Sequence, residues 1–221
     1  MFNALVVAVA VTGSDIATRA ARNLAGRAGL PVEVFRVPEG DDVAAAIVEH
    51  VRARDGALQV MGTGGTYLLS HARRSVASDV LERLCQPALL LGPLCSPQFG
   101  ASTLVIGVDR MGETQPGIKV ADAWRRTFGA VESRLVDVVA ESSWPPEATD
   151  EVIDAPVGAT VLRTNDPATA LVAFAETLDE AIFVLTSDRW PGGRSHWYST
   201  TRRVVQTTSR PVLVVPSDLP S

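Results

Sequence analysis

A short pattern occurs twice along this chain of 221 residues, and that duplication restricts the fold more than any other feature. Leu58-Gln59-Val60-Met61-Gly62-Thr63 is similar to Ile182-Phe183-Val184-Leu185-Thr186-Ser187, 124 residues later. The same offset carries Pro87-Ala88-Leu89-Leu90-Leu91 onto Pro211-Val212-Leu213-Val214-Val215, Ser75 onto Ser199, and Asp42 onto Asp166. Nearer the start, Val9-Ala10-Val11-Thr12 matches Ile106-Gly107-Val108-Asp109 at an offset of only 97. The second copy is therefore 27 residues longer, with the extra length between its first strand and Asp166.

Within each copy, short runs rich in Val, Ile and Leu alternate with amphipathic segments, the pattern of βα units around a parallel sheet. Leu5–Val11 is apolar throughout, as a strand covered on both faces requires. Strands are expected at Leu5–Val11, Val32–Val37, Leu58–Met61 and Pro87–Leu91 in the first copy. The second should have Thr103–Val108, Leu135–Val139, Thr160–Arg163, Ala181–Leu185 and Pro211–Val215. Helices are expected near 14–28, 42–54, 75–84, 117–128, 167–178 and 199–208, the first opened by Ser14-Asp15 and closed by Gly29 and Pro31. The expected architecture is α/β: two tandem doubly wound parallel-sheet domains, 1–95 and 101–221, the first one strand shorter. Adjacency makes Val32–Val37 the second strand of its copy, whereas the offset at Asp42 makes it the third; the sequence leaves both open.

The remaining composition narrows the function by exclusion. Lys and Arg number 20 against 25 Asp and Glu, a net charge of −5, so a nucleic-acid partner held through phosphates is not expected. Lys119 is the single lysine. Cys85 and Cys95 are too few for a disulfide framework or a four-ligand zinc site, and His50, His71 and His196 have no metal-ligand spacing, so no metal is expected. His50 reads as a residue on a helix surface. The run Ala4–Val11 has no preceding Lys or Arg and no Ala-x-Ala pattern, and no apolar stretch reaches the ~18 residues that span a bilayer. A soluble, cytoplasmic protein without a membrane partner is the expectation.

Doubly wound sheets bind ligands outside the carboxyl ends of their strands. Those ends are Thr12–Asp15 and Gly62–Ser75 in the first copy, and Asp109–Gly112 and Thr186–Thr200 in the second. Gly62-Thr63-Gly64-Gly65 lets backbone N–H groups approach an anion, and a helix N-terminus follows. Ser75 either donates to a phosphate or caps its helix, and His71, Arg73 and Arg74 either meet phosphate or face solvent. Trp190, Trp197 and Tyr198 suit a loop lid or a base-stacking surface. Gly112–Lys119 falls short of a phosphate-binding loop because Val120 follows the lysine, and no G-x-S-x-G elbow exists. No catalytic set of nucleophile, base and orienting group can be assembled.

These residues resemble the universal stress protein family in its tandem two-domain form. The likeness rests on the strand followed by Thr12-Gly13-Ser14, on Asn165-Asp166-Pro167-Ala168 before a helix, on Gly62-Thr63-Gly64-Gly65 with Ser75-Val76, and on the closing Pro-plus-aliphatic strands. The resemblance implies an adenine-nucleotide alpha-hydrolase-like fold with ATP or AMP as ligand. Val11, Thr12 and Gly13 would lie near the adenosine, and Gly62, Thr63, Gly64, Gly65, Ser75 and Val76 around the phosphates. In the second copy, Asp109, Ser199 and Thr200 take the corresponding places. The family's ATP motif, G-x2-G-x9-G-[ST], is incomplete: Arg74 stands where its last glycine would be, while Thr186, Arg189 and Tyr198 interrupt it in the second copy. The implied protein is a non-catalytic stress-response regulator with weak or absent nucleotide binding, or alternatively a working ATP binder. Its closing strands would pair within the chain as a pseudo-dimer, with an unidentified protein partner and a further homodimer both compatible.

Overall fold

The computed structural model describes residues 2–9, 16–37, 42–63, 76–100, 102–108, 114–129, 132–139, 158–187, 200–217 and 219. In chain order the elements are β1 (Ala4–Val9), α1 (Ile16–Ala28), β2 (Val32–Arg36), α2 (Val43–Arg52), β3 (Ala57–Gly62), α3 (Val76–Arg83) and β4 (Ala88–Leu91). After the linker come β5 (Thr103–Val108), α4 (Gln115–Phe128), β6 (Glu132–Val139), β7 (Thr160–Arg163), α5 (Pro167–Glu176), β8 (Ala181–Ser187), α6 (Thr200–Thr207) and β9 (Val212–Pro216). Every expected strand and helix is found, with ends shifted by a few residues.

Local chemistry sets several boundaries. α1 stops where Gly29 takes a positive φ of 65°, and the N–H of Leu30 returns to the carbonyl of Ala25, satisfying a carbonyl the helix leaves open. α2 and α5 each begin at an aspartate whose carboxylate accepts a backbone N–H three residues on, Asp42 from Ala45 at 2.9 Å and Asp166 from Thr169 at 3.2 Å.

The strands form one sheet in the order β2-β1-β3-β4-β9-β8-β5-β6-β7. All neighbours are parallel except β4 and β9, which run antiparallel with Leu89 opposite Leu213. The two sheets expected from the sequence are thus joined edge to edge into a continuous one. Read outward from this junction, β4 corresponds to β9, β3 to β8, β1 to β5 and β2 to β6. β7 has no counterpart among the described residues. Both readings left open for Val32–Val37 are thereby decided: β2 pairs with β1 as β6 pairs with β5, so among the described residues it is the third strand that the first half lacks. Leu5 pairs with Leu58 as Leu104 pairs with Ile182, so Arg36 and Asp137 occupy equivalent register positions, an offset of 101, which jumps to 124 only at Asp42. The helix after the missing strand is retained, which explains why the sequence pointed both ways.

Alternation along each strand sends side chains to two layers. Val6, Met61, Leu90, Phe183 and Val212 face α2, α3, α5 and α6. Leu5, Val60, Leu89, Ile182 and Leu213 face α1 and α4. Both layers draw on both halves of the chain. On the second face Trp124 is fully buried, with Phe128 at 4.4 Å and Phe2 at 6.3 Å between ring centroids, so the first strand's approach is packed against a helix of the other half. Among the described residues no helix is long and apolar enough to cross a membrane.

Because β4 and β9 are antiparallel, the carboxyl end of β4 and the amino end of β5 lie at the same end of the sheet. The linker 92–102 therefore has only a short way to go. It starts at Gly92, where a Cβ would overlap the carbonyl oxygen of Val205 in α6. Gly92→Ala should destabilise the protein by about 1–3 kcal/mol through overpacking against backbone that cannot yield. Urea unfolding should show a lower midpoint with an unchanged slope.

Candidate functional site

The antiparallel junction puts the carboxyl ends of the first-half strands at one end of the sheet and those of the second half at the other. Two candidate sites therefore lie at opposite ends of the molecule. Of the expected site residues, Gly62, Thr63, Val76 and Thr200 lie within the described structure. Val11, Thr12, Gly13, Gly64, Gly65, Ser75, Asp109 and Ser199 lie outside the described residues, as do His71, Arg73, Arg74, Arg189, Trp190, Trp197 and Tyr198.

In the first half, Gly62 ends β3 opposite Leu91 of β4. A Cβ there would meet Cγ2 of Ile16, the first residue of α1, at 3.0 Å, so the missing side chain lets the helix close onto the strand end. Thr63 follows, buried, with its N–H donated to the carbonyl of Leu91 at 2.9 Å and its hydroxyl to the same oxygen at 3.3 Å. The Thr63 hydroxyl proton, placed near the phosphates by the sequence reading, is thus committed to extending the sheet. Val76 opens α3 and is 45% exposed. Asp79 in the same first turn brings to that helix end the negative charge that a phosphate would otherwise supply.

In the second half the close approach is made with the roles exchanged. Thr186 stands at the strand position of Gly62, and the glycine is now on the helix: a Cβ at Gly117 of α4 would lie 2.9 Å from the Thr186 hydroxyl oxygen. That oxygen is buried with no hydrogen-bond partner among the described residues. Thr200 opens α6, which has no acidic residue in its first turn and carries Arg202 and Arg203. The first turn of α6 therefore lacks the carboxylate that Asp79 brings to α3.

Asp42 and Asp166 do more than cap their helices. Asp42 accepts two hydrogen bonds from Nη1 of Arg83 at 2.7 and 2.9 Å. Asp166 accepts from Nη2 of Arg203 at 2.8 Å and from the Thr169 hydroxyl at 2.9 Å. Each thereby ties the helix it starts to the next helix on the same face. Asp166 belongs to the motif that prompted the family resemblance, and its contacts in the structure are those of a structural clasp.

Sequence reasoning missed one polar cluster. His50 is not a plain helix-surface residue: its ring stacks on Phe35 at 3.8 Å and its Nε2 lies 2.9 Å from the Glu33 carboxylate. Arg54 grips the same carboxylate through Nε and Nη2, and its guanidinium holds the Glu33 carboxyl below its ordinary range. The available signal was a histidine near the end of α2 and an arginine just past it, four residues apart. Among the described residues no group of His, Cys, Asp and Glu is arranged to hold a metal. Cys85 and Cys95 are free thiols, and burial pushes Cys95 up to about 12.

No family profile and no curated protein sequence matches the chain. Solved structures do. The fold is that of the universal stress proteins: one from Archaeoglobus fulgidus superposes with a TM-score of 0.66 at 16% identity, over 97% of this chain and 86% of that one. A protein of unknown function from Pseudomonas aeruginosa gives 0.63 at 13% identity, over 98% of this chain and 93% of the other. Another from the same species, provisionally described as a universal stress protein, gives 0.58 at 14%, over 98% and 94%.

The arginine partner comes first among the causes that hold both Asp42 and Asp166 below their ordinary carboxylate values. A group depressed in the folded state contributes stability above its unfolded pKa, about 4, and loses it as pH falls through the folded value. Stability measured by urea unfolding should therefore decline on acidification below about pH 4. Asp166→Asn should flatten that acid limb while leaving its shape unchanged above about pH 6.

Proposed function

We propose that this chain is a universal stress protein of the tandem type, with repeats spanning 1–95 and 101–221, acting as a non-catalytic stress-response regulator whose nucleotide binding is weak or lost. Support for the class comes from the strand order and from structural similarity over nearly the whole chain. The observation that carries the second part is the packing at the two strand ends that open the candidate sites. Thr63 gives its hydroxyl to Leu91, and Thr186 packs against Gly117 of α4 where, in the other half, Ile16 of α1 packs against Gly62. Polar groups at both ends are turned into the fold instead of toward a ligand.

In this reading the two halves behave as an intramolecular pseudo-dimer, with β4 and β9 covering each other's exposed edges. Regulation would then run through a protein partner met on the outer surface. The second reading is a working ATP-binding protein that uses Gly62, Gly64, Gly65, Ser75 and Val76. Its support is the glycine-rich run itself, whose backbone N–H groups suit a phosphate.

Isothermal titration with ATP and Mg²⁺ distinguishes the two. The expected result is millimolar or undetectable affinity. Low-micromolar binding that Gly65→Arg abolishes would replace the first reading with the second.

A further inference from the structure

Among the described residues β2 is at the edge of the sheet, and the geometry of that edge points to a self-complementary junction. In the parallel pairing of β1 with β2, Leu5 donates to the carbonyl of Pro31 and Val37 donates to the carbonyl of Val9. This phase directs the backbone groups of Glu33 and Phe35 at β1 and those of Val32, Val34 and Arg36 outward. Among the described residues no strand meets this outer row. Val34, at its centre, is 39% exposed, one of the few large apolar side chains so open.

The usual defences of an edge sit at the ends of this short strand, Pro31 before it and exposed Arg36 closing it, and not at its centre. β2 contains no lysine, and its one carboxylate, Glu33, is turned to the α2 side and held there by His50 and Arg54. Phe35 is fixed on the same side by its stack on His50. The strand is thus held rigid from behind, which lowers the ordering cost of adding a neighbour.

We propose that β2 pairs antiparallel with β2 of a second copy about a two-fold axis through Val34, extending the sheet across two molecules. In this register Val34 faces Val34 of the second copy and Val32 faces Arg36. Every outward N–H and C=O in the strand then finds a partner. A two-fold axis normal to the sheet keeps the side chains on their own faces, so Val34 meets Val34 and the aliphatic stem of Arg36 covers Val32. The two Arg36 guanidiniums fall at opposite ends of the junction. A shift by two residues in either direction leaves one of the three outward residues unmatched. This self-matching favours a second copy over an unrelated peptide strand.

Analytical ultracentrifugation of the full chain from about 1 µM to about 1 mM tests this, spanning the affinities of small interfaces. The wild type should form a dimer as concentration rises. Val34→Pro removes an N–H that the monomer does not use, on an edge strand where proline is tolerated. It should stay monomeric with an unchanged circular dichroism spectrum. Val34→Lys brings two positive charges together at the axis and should raise the dissociation constant at least tenfold; this variant decides the matter if the proline chain does not fold. A wild type that remains monomeric throughout, or a dimer indifferent to Val34→Lys, overturns the proposal.

Discussion

The antiparallel contact between β4 and β9 is the constraint on which the rest of the molecule depends. Each strand alone would end a parallel sheet with a row of unpaired backbone groups and a fully apolar face on either side. Placing Leu89 against Leu213 and Ala88 against Val214 removes both edges at once and keeps the alternation in phase across the junction. The two buried layers can then run unbroken from one half to the other. Gly92 and the short linker are consequences of the same reversal, because the chain leaves β4 at the end where β5 begins.

That reversal also separates the candidate sites. Had the halves joined in parallel, the carboxyl ends of all strands would share one rim and two ligand sites could act on each other through adjacent loops. Here they are set at opposite ends. Each is closed by the first helix of its own half resting on the end of β3 or β8. The exchange of glycine and larger side chain between Gly62–Ile16 and Gly117–Thr186 shows two solutions to one steric demand.

Among the described residues the two halves differ at their outer edges. The second keeps β7 beside β6 and so covers that strand, whereas β2 is bare on its outer side among the described residues. The polar cluster of Glu33, His50 and Arg54 stands behind the bare strand and ties it to α2. Both halves have an aspartate-capped helix locked by an arginine from the next helix, through different arginine positions.

The sequence by itself determined the class of fold and the strands and helices found among the described residues. Periodicity and capping are local properties, and the repeated runs at 58–63 and 182–187 carry them on their face. Only the tertiary structure decided which strand the first half lacks, because Val32–Val37 is followed by a helix that matches its counterpart whichever strand is missing. Only it showed that Thr63 serves Leu91, that His50 lies on Phe35 against Glu33, and that Gly117 makes room for Thr186. These are contacts between residues distant in sequence, and no local pattern encodes a distance across the sheet.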